Sequence, residues 1–557
     1  MAMTLYDIQP QDIVLGTLLE RRATEAPNET FFTWNDESHT LREFNEAVNE
    51  MARNLLAQGI SKGAVVAIIM ETSVEYLRLW FALAKIGAVE VPINNAYRGD
   101  LLAHALRTCG ASVCMMDGKF TETLAGVVEQ APDLKTVFVL NGKWPESPGS
   151  VAARDFAELT APNDTSNIGD PPHFSEVGGV IFTSGTTGPS KGVLLSHYYL
   201  AAYGFMYREI NALGPDDVVL NFLPFFHIGA KFLTIATLAS GGRMHLQERL
   251  SITTFWETVR RYSVTNFIGV GGICNMLLSS PPSPNDRETP IKTIYAVPDP
   301  ADVHREIEER FNCKLTTVFG STEVGLPLFR STDDDYQPES CGRVSPYYEV
   351  RIVDQDDQPL GAGEVGEIVV RPKLPFLTGS GYVNMPEKTV ESWRNLWLHS
   401  GDNGYYDANG WFYFVDRATD SIRRRGENIS SYEVEQMVGK HPAVAEVAAM
   451  STPSEVGEDE VWVQIIAREK QALTPEEVLH HCADVMPYFM IPRFIEIVAD
   501  FPRTPTAKVE KFKLRSAGPG DGAWDCTVNG WKVTRDGLKR VRGDRDQQDI
   551  LEGSPAS

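Results

Sequence analysis

The sequence predicts an α/β fold: a large N-terminal domain of α/β subdomains plus a β-rich subdomain, followed by a small α/β C-terminal domain. Three observations predict it. The chain has 557 residues, well beyond the roughly 250–300 at which a single hydrophobic core stops growing. Short apolar runs alternate with amphipathic stretches, as parallel strands joined by crossover helices do. Near residue 340 that pattern gives way to short strands separated by turn residues, and it restarts after about residue 418.

The elements justify this in order. The opening MAMTLYDIQPQDIVLG lacks a basic region followed by an apolar core, and no run of about 18 uncharged apolar residues occurs, so a cytoplasmic protein without a transmembrane segment is expected. In TLREFNEAVNEMARNLLAQG, residues Leu41, Phe44, Val48, Met51 and Leu55 recur at helical spacing before a terminal glycine. AVVAIIM reads as a buried strand, SVEYLRLWFALAKIG as a helix and AVEVPIN as the next strand, which makes a parallel unit. VVLNFLP, TNFIGV and LTTVFG continue the alternation. YYEVRIVD, GEVGEIVVRP and GWFYFVD, with the turn Asp407 to Gly410, form the β-rich part.

After DRATDSIRRRGENISSYEVEQMV, the runs VAEVAAMS, EVWVQIIA and RFIEIV and the helix near TPEEVLHHC build a separate module. The expected division is residues 1–417, 418–515 and a C-terminal extension, 516–557. The extension carries Trp524 and Trp531, side chains that a wholly disordered tail seldom needs, but its role is not legible.

Composition narrows the function. A formal charge of −24 argues against a nucleic-acid partner, because neutralising phosphates takes clustered Lys and Arg over a wide surface. Seven cysteines without a C-x-x-C pair suggest reduced, mostly buried thiols and no zinc site.

Chemistry enters with IFTSGTTGPSKGV, residues 181–193. The P-loop order, lysine directly after glycine and a hydroxyl after the lysine, is absent: Lys191 follows Ser190 and precedes Gly192. The ingredients still suit an oligophosphate, since glycines admit the ligand to the backbone, amides and hydroxyls donate, and lysine adds positive charge. A loop of this composition is also frequently only a loop.

Four further segments follow in order: LPFFHIGA, FGSTEVG, WLHSGDNGYYDANGWFYFVDRATDSIRRRGENIS and PRTPTAKVEK. With TSGTTGPSKG they resemble the acyl-adenylate-forming superfamily of AMP-binding acyl-CoA synthetases, luciferases and peptide-synthetase adenylation domains, over about residues 15–515. GWFYFVDR, GENIS and SPPSPNDRE are most similar to its carnitine/crotonobetaine-CoA ligase-like branch.

The resemblance implies a two-step reaction that uses ATP, Mg2+ and CoA. A small-molecule carboxylate attacks the α-phosphate of ATP to give acyl-AMP and pyrophosphate, and the CoA thiol then displaces AMP. It implies that Thr183, Ser184, Gly185, Thr186, Thr187, Gly188 and Lys191 hold phosphate, and that Lys508 is the catalytic lysine of adenylation. Glu323 would hold Mg2+, with Thr322 near the α-phosphate, Phe319 stacked on adenine and Gly320 beside it. Asp402 would accept from the ribose hydroxyls, with Arg417 and Phe414 on the same wall and His227 near the substrate carboxylate. Gly426 would leave room for the CoA thiol, and the pivot between the two steps falls at Thr419 or Asp420. Ala507 departs from the family's glycine before the catalytic lysine.

Each residue also has a plainer reading. Lys508 would be a surface lysine, Glu323 a helix-capping residue, Asp402 and Arg417 a surface ion pair, Phe319 and His227 core residues, and Gly426 a turn glycine. Lys231, four residues after His227 in an apolar segment, is expected either to meet a second polar group on the acyl substrate or to extend its amine to water. A synthetase that loads a carrier protein would use the same residues, whereas a nucleotide-binding pseudoenzyme would keep the fold without the chemistry. The acid and the oligomeric state stay open, a homodimer among the options.

Overall fold

The structure is a computed structural model that describes residues 4–146, 151–183, 190–270, 273–297, 299–301, 303–417, 421–454, 457–468, 472–502, 509, 511–520 and 522–541. The chain divides into two compact units. One comprises Met1–Asn95, Leu102–Phe182 and Gly192–Ala418; the other comprises Ala96–Leu101, Thr183–Lys191 and Thr419–Ser557.

In the first unit, the helix Leu41–Ala57 starts at a capping box in which the Thr40 hydroxyl accepts from the Glu43 amide and the Glu43 carboxylate accepts from Thr40. Its stripe Leu41, Phe44, Val48, Met51 and Leu55 is fully in the core, as the spacing predicts. Helix Val74–Ile86 is capped by Ser73 and ends at Gly87 in the left-handed region, φ 69°.

A seven-stranded sheet runs in the spatial order Ala152–Asp155, Thr136–Leu140, Val113–Asp117, Val65–Ile69, Val89–Pro92, Val177–Thr183 and Lys191–Ser196. Val65–Ile69 pairs parallel with both Val89–Pro92 and Val113–Asp117. This accounts for the continuous apolar runs, because helices cover both faces of such strands.

A second sheet of thirteen strands joins the remaining α/β elements to the β-rich part without a break. The change of direction falls on strand Lys314–Ser321. It pairs parallel with Thr293–Val297 on one side and antiparallel with Gly325–Arg330 on the other. The rest of the β-rich part, Ser340–Val344, Phe412–Arg417, Leu398–Tyr406, Gly366–Pro372 and Tyr348–Val353, continues antiparallel from there.

Lys231 departs from both expectations. On helix Ile228–Ser240 it is 1% exposed, and its Nζ donates to both carboxylate oxygens of Glu90 at 2.7 Å. Tyr76 donates to the same carboxylate at 2.9 Å, and the ammonium lies 4.3 Å from the centroid of the Trp80 ring. Desolvation lowers the Lys231 pKa and Glu90 opposes that shift. The amine therefore serves neither substrate nor solvent: it ties the helix to strand Val89–Pro92.

In the second unit, strands Val444–Pro453, Asp459–Ala467, Phe494–Ile497 and Trp524–Asp525 form one sheet, packed with helices Ser431–Val438 and Pro475–Val485. The first part of the extension thus belongs to the folded module. Trp524 pairs with Ile495, Asp525 holds Arg493 at 3.0 Å, and Cys526 is buried. Trp531 opens a hairpin, Trp531–Thr534 with Gly537–Arg540, and its indole N–H donates to Glu476 at 3.1 Å.

Removing Lys231 leaves a carboxylate buried without its cation. Lys231→Ala is expected to destabilise the protein by about 3–5 kcal/mol. In the double variant Glu90→Gln/Lys231→Met the loss should be smaller than the sum of the single losses, as read from denaturant unfolding midpoints.

Candidate active site

The candidate site is centred on the end of strand Lys314–Ser321. Gly320 tolerates no side chain, because a Cβ there would collide with the carbonyl of Gly325 across the hairpin. The register shifts between Phe319 and Ser321, which marks a bulge, and the chain turns through Thr322, Glu323 and Val324. Gly325 closes the turn at φ 81°, with the Tyr348 hydroxyl where a Cβ would point.

Phe319, almost fully buried, ends the regular part of the strand. Thr322 is held through its carbonyl, which accepts from the Tyr199 hydroxyl at 2.9 Å. Glu323 is fixed at backbone and side chain. Its amide donates to Ser321 Oγ at 3.2 Å, its carboxylate accepts from the same hydroxyl at 3.0 Å, and its carbonyl accepts from the Gly379 amide at 2.8 Å. The helix-capping alternative for Glu323 does not hold, since a strand stands on either side of it.

Around this turn, Tyr203 stacks on Phe232 at 5.0 Å and Tyr207 meets Tyr295 edge-on at 4.9 Å. Burial raises the pKa of each of these tyrosines, so all stay neutral.

Asp402 and Arg417 are direct cross-strand partners in the pair Leu398–Tyr406 and Phe412–Arg417. Asp402 is only 6% exposed, so it is not half of a surface ion pair. Phe414, opposite Gly404, is exposed. His227 is the N-cap of helix Ile228–Ser240, half-buried, with its ring 4.8 Å from that of Phe226. Within the segment Gly269 to Leu277, Ile273, Cys274 and Leu277 are core residues.

In the second unit, Thr183 and Lys191 flank the Ser/Thr/Gly loop, both half-buried; Ser184, Gly185, Thr186, Thr187 and Gly188 lie outside the described residues. So do Lys508, the pivot candidates Thr419 and Asp420, and the side chain of Arg417. Gly426 has φ 78° and follows Arg425 at φ 55° in the two-residue turn of hairpin Ser421–Arg424 with Glu427–Ser430. Two positive φ values in succession are what a tight hairpin of this hand demands. The amides of Arg425 and Gly426 donate to Glu458 at 2.6 and 3.1 Å.

Sequence reasoning missed two arrangements. Glu433, buried at the start of helix Ser431–Val438, accepts from the Ser190 amide at 2.8 Å and from its hydroxyl at 2.5 Å. A carboxylate thus closes the end of the Ser/Thr/Gly loop, with Tyr97 bonded to the same serine. The signal in the sequence was slight: Glu433 reads as an ordinary first-turn glutamate after the Ser430 cap. The other arrangement is a buried cluster just after strand Thr293–Val297. Asp299 accepts from Arg330 and bonds His304 Nδ1, both at 2.8 Å. Against desolvation, these bonds hold the Asp299 carboxyl below its usual range, and Asp299 and Glu308 raise His304 against desolvation and the Arg330 charge. Among the described residues no group of three or more His, Cys, Asp or Glu forms a metal cluster, and no helix is long and apolar enough to cross a membrane.

Known proteins resemble this chain in sequence and in fold. The family described as AMP-binding enzyme matches residues 19–382, and the AMP-binding enzyme C-terminal domain matches 433–508. The chain is 31% identical over 478 residues to a crotonobetaine/carnitine–CoA ligase of Salmonella agona, covering 85% of this chain and 92% of that one. It is also 31% identical over 481 residues to the ligase of the same name in Proteus mirabilis, with the same coverage. Its fold is similar to that of an amide bond synthetase from Marinactinospora thermotolerans, with TM-score 0.78, 24% identity, and 90% and 99% of the two chains covered. It is likewise similar to o-succinylbenzoate CoA synthetase from Bacillus subtilis, with TM-score 0.76, 23% identity, and 90% and 98% covered.

Glu433→Ala would leave two buried donors of Ser190 without this acceptor. A loss of about 1–3 kcal/mol is expected, against about 0.5–1.5 kcal/mol for Tyr97→Phe, both read as shifts in the unfolding midpoint.

Proposed function

This chain belongs to the family of AMP-binding enzymes, and from that premise we propose that it is an ATP-dependent, AMP-forming acyl-CoA synthetase. A carboxylate oxygen of the acid attacks the α-phosphorus of ATP, and the bond to the bridging oxygen breaks to release pyrophosphate. The CoA sulfur, losing its proton, then attacks the acyl carbon of the mixed anhydride, and AMP departs. The observation that carries this reading is the 31% identity over 478 residues with a CoA ligase, 92% of whose length is covered, together with the two family segments that this chain carries.

Both reactants of the first step are anions, so catalysis depends on cations set where charge accumulates. Lys191 and the donors of residues 183–188 cradle the phosphates, and Lys508 contacts the carboxylate and the phosphate or ribose oxygens. Glu323 suits Mg2+, a hard cation that takes one or two carboxylates and fills its remaining positions with water and phosphate oxygens. Its carboxylate sits on a turn held through both backbone and side chain. Mg2+, when bound, neutralises charge on the phosphates.

Asp402 accepts from the ribose hydroxyls with Arg417 beside it in register, a role its burial favours over a surface pairing. Phe319 stacks on adenine next to Gly320, Thr322 donates near the α-phosphate, Phe414 lines the ribose side, and His227 stands by the substrate carboxylate. Residues 1–417 serve as the adenylate-forming domain and 418–515 as the mobile domain that turns about Thr419 or Asp420 for the second step. Gly426 leaves the thiol its path.

The test is pyrophosphate release across a panel of carboxylic acids, with and without CoA. Acid-dependent release is expected, together with AMP and a thioester once CoA is present. Lys508→Ala should slow acyl-AMP synthesis by about 10²-fold or more. Full-rate synthesis in that variant would overturn its assignment.

A further inference from the structure

The extension beyond residue 515 lies outside both family matches, and in this chain of net charge −24 it carries a locally basic hairpin. Its segment WKVTRDGLKR holds Lys532, Arg535, Lys539 and Arg540 against a single acid, Asp536. Two of these cations are engaged by neighbours: Arg540 with Glu476 at 3.0 Å and Lys539 with Asp536 at 3.8 Å.

Arg535, at the exposed tip, has no carboxylate partner among the described residues. Its guanidinium lies 5.7 Å from the centre of the half-buried Tyr488 ring. The guanidinium of Arg425, exposed and also without a carboxylate partner among the described residues, lies 5.6 Å from the same ring. Arg425 is tied to the hairpin as well, through Nη1 to the Val533 carbonyl at 3.5 Å. Glu458 accepts the backbone amides of Arg425 and Gly426. Two like charges therefore share one aromatic ring, next to the Gly426 turn, with no carboxylate paired to either among the described residues.

We propose that Arg425 and Arg535, which share the Tyr488 ring, receive the phosphates of the nucleotide half of CoA, and that the extension completes the acceptor site. CoA concentrates its charge on a phosphorylated ADP at one end and carries its thiol at the end of a long uncharged arm. A cation pair beside Gly426 holds the charged end where the arm enters. Arginine suits this role, because its planar fork binds phosphate oxygens bidentately while its face stays on an aromatic ring. Backbone strain supports the placement: Arg425 occupies the first left-handed position of its turn, where Asn, Asp or Gly is the usual choice. The inference rests on CoA being the acceptor.

The experiment compares wild type with Arg535→Ala, Arg535→Lys and Arg425→Ala, using CoA and pantetheine as acceptors, and measures binding of adenosine 3′,5′-bisphosphate by calorimetry. In Arg535→Ala the KM for CoA is expected to rise about three- to ten-fold, as the loss of one exposed charge-assisted contact predicts. The KM for pantetheine, which has no phosphate, should stay the same, and Arg535→Lys should recover part of the loss. The bisphosphate should bind wild type and bind more weakly to both alanine variants.

An unchanged KM for CoA in Arg535→Ala, or an equal rise for pantetheine, would overturn the proposal. So would a wild type that releases pyrophosphate with acid but does not bind the bisphosphate; acid activation would then stand. Absence of acid-dependent pyrophosphate release, with bisphosphate binding intact and weakened by Arg535→Ala, would sink the synthetase reading alone.

Discussion

Strand Lys314–Ser321 has to satisfy two neighbours with opposite hydrogen-bonding geometry, parallel Thr293–Val297 and antiparallel Gly325–Arg330. A parallel neighbour admits a crossover helix, whereas an antiparallel one demands a tight return. The chain meets both demands by bulging at Gly320, where no side chain fits, and turning through Thr322 and Glu323. The turn therefore projects from the carboxyl end of a parallel array, the edge at which open α/β sheets hold ligands. Phe319, Thr322 and Glu323 are in place because the sheet changes direction there.

Charged groups inside the first unit are wired in pairs that link elements far apart in sequence. Lys231 and Glu90 join a helix to a strand, and Lys85 joins three helices by donating to Glu20, Asn45 and Asn49. Burial pulls the Lys85 ammonium down to about 8, with the Glu20 carboxylate opposing. Asp299 and Arg330 do the same across the strands that flank the change of direction. Such pairs add little net stability over apolar replacements, but they specify which element meets which, since any other arrangement strands a charge in the core.

Local pattern made much of the fold legible. The helix Leu41–Ala57 was readable from its apolar spacing and the glycine that follows it, whereas its capping box of Thr40 and Glu43 went unread although it lies within four residues. The parallel strands were readable as uninterrupted apolar runs. Lys231 shows where reading stops. A lysine in an apolar helix looks like a group in search of water or substrate, and its partner Glu90 lies 141 positions away. Glu433 was hidden for the same reason: its local role at a helix start masks a bond to Ser190 across 243 positions. The extension was opaque because its strand of two residues, Trp524–Asp525, exists only by pairing with Phe494–Ile497.

The sequence by itself determined the α/β class, the family and the order of the motifs, since periodicity, caps and short ordered segments are properties of neighbouring residues. Tertiary structure alone decided the partners of buried charge, the continuity of the thirteen-stranded sheet, and the grouping of Ala96–Leu101 and Thr183–Lys191 with the C-terminal unit. The physical reason is that a charge or a strand edge can be satisfied by any complementary group along the chain. Only the packed core determines which of them arrives.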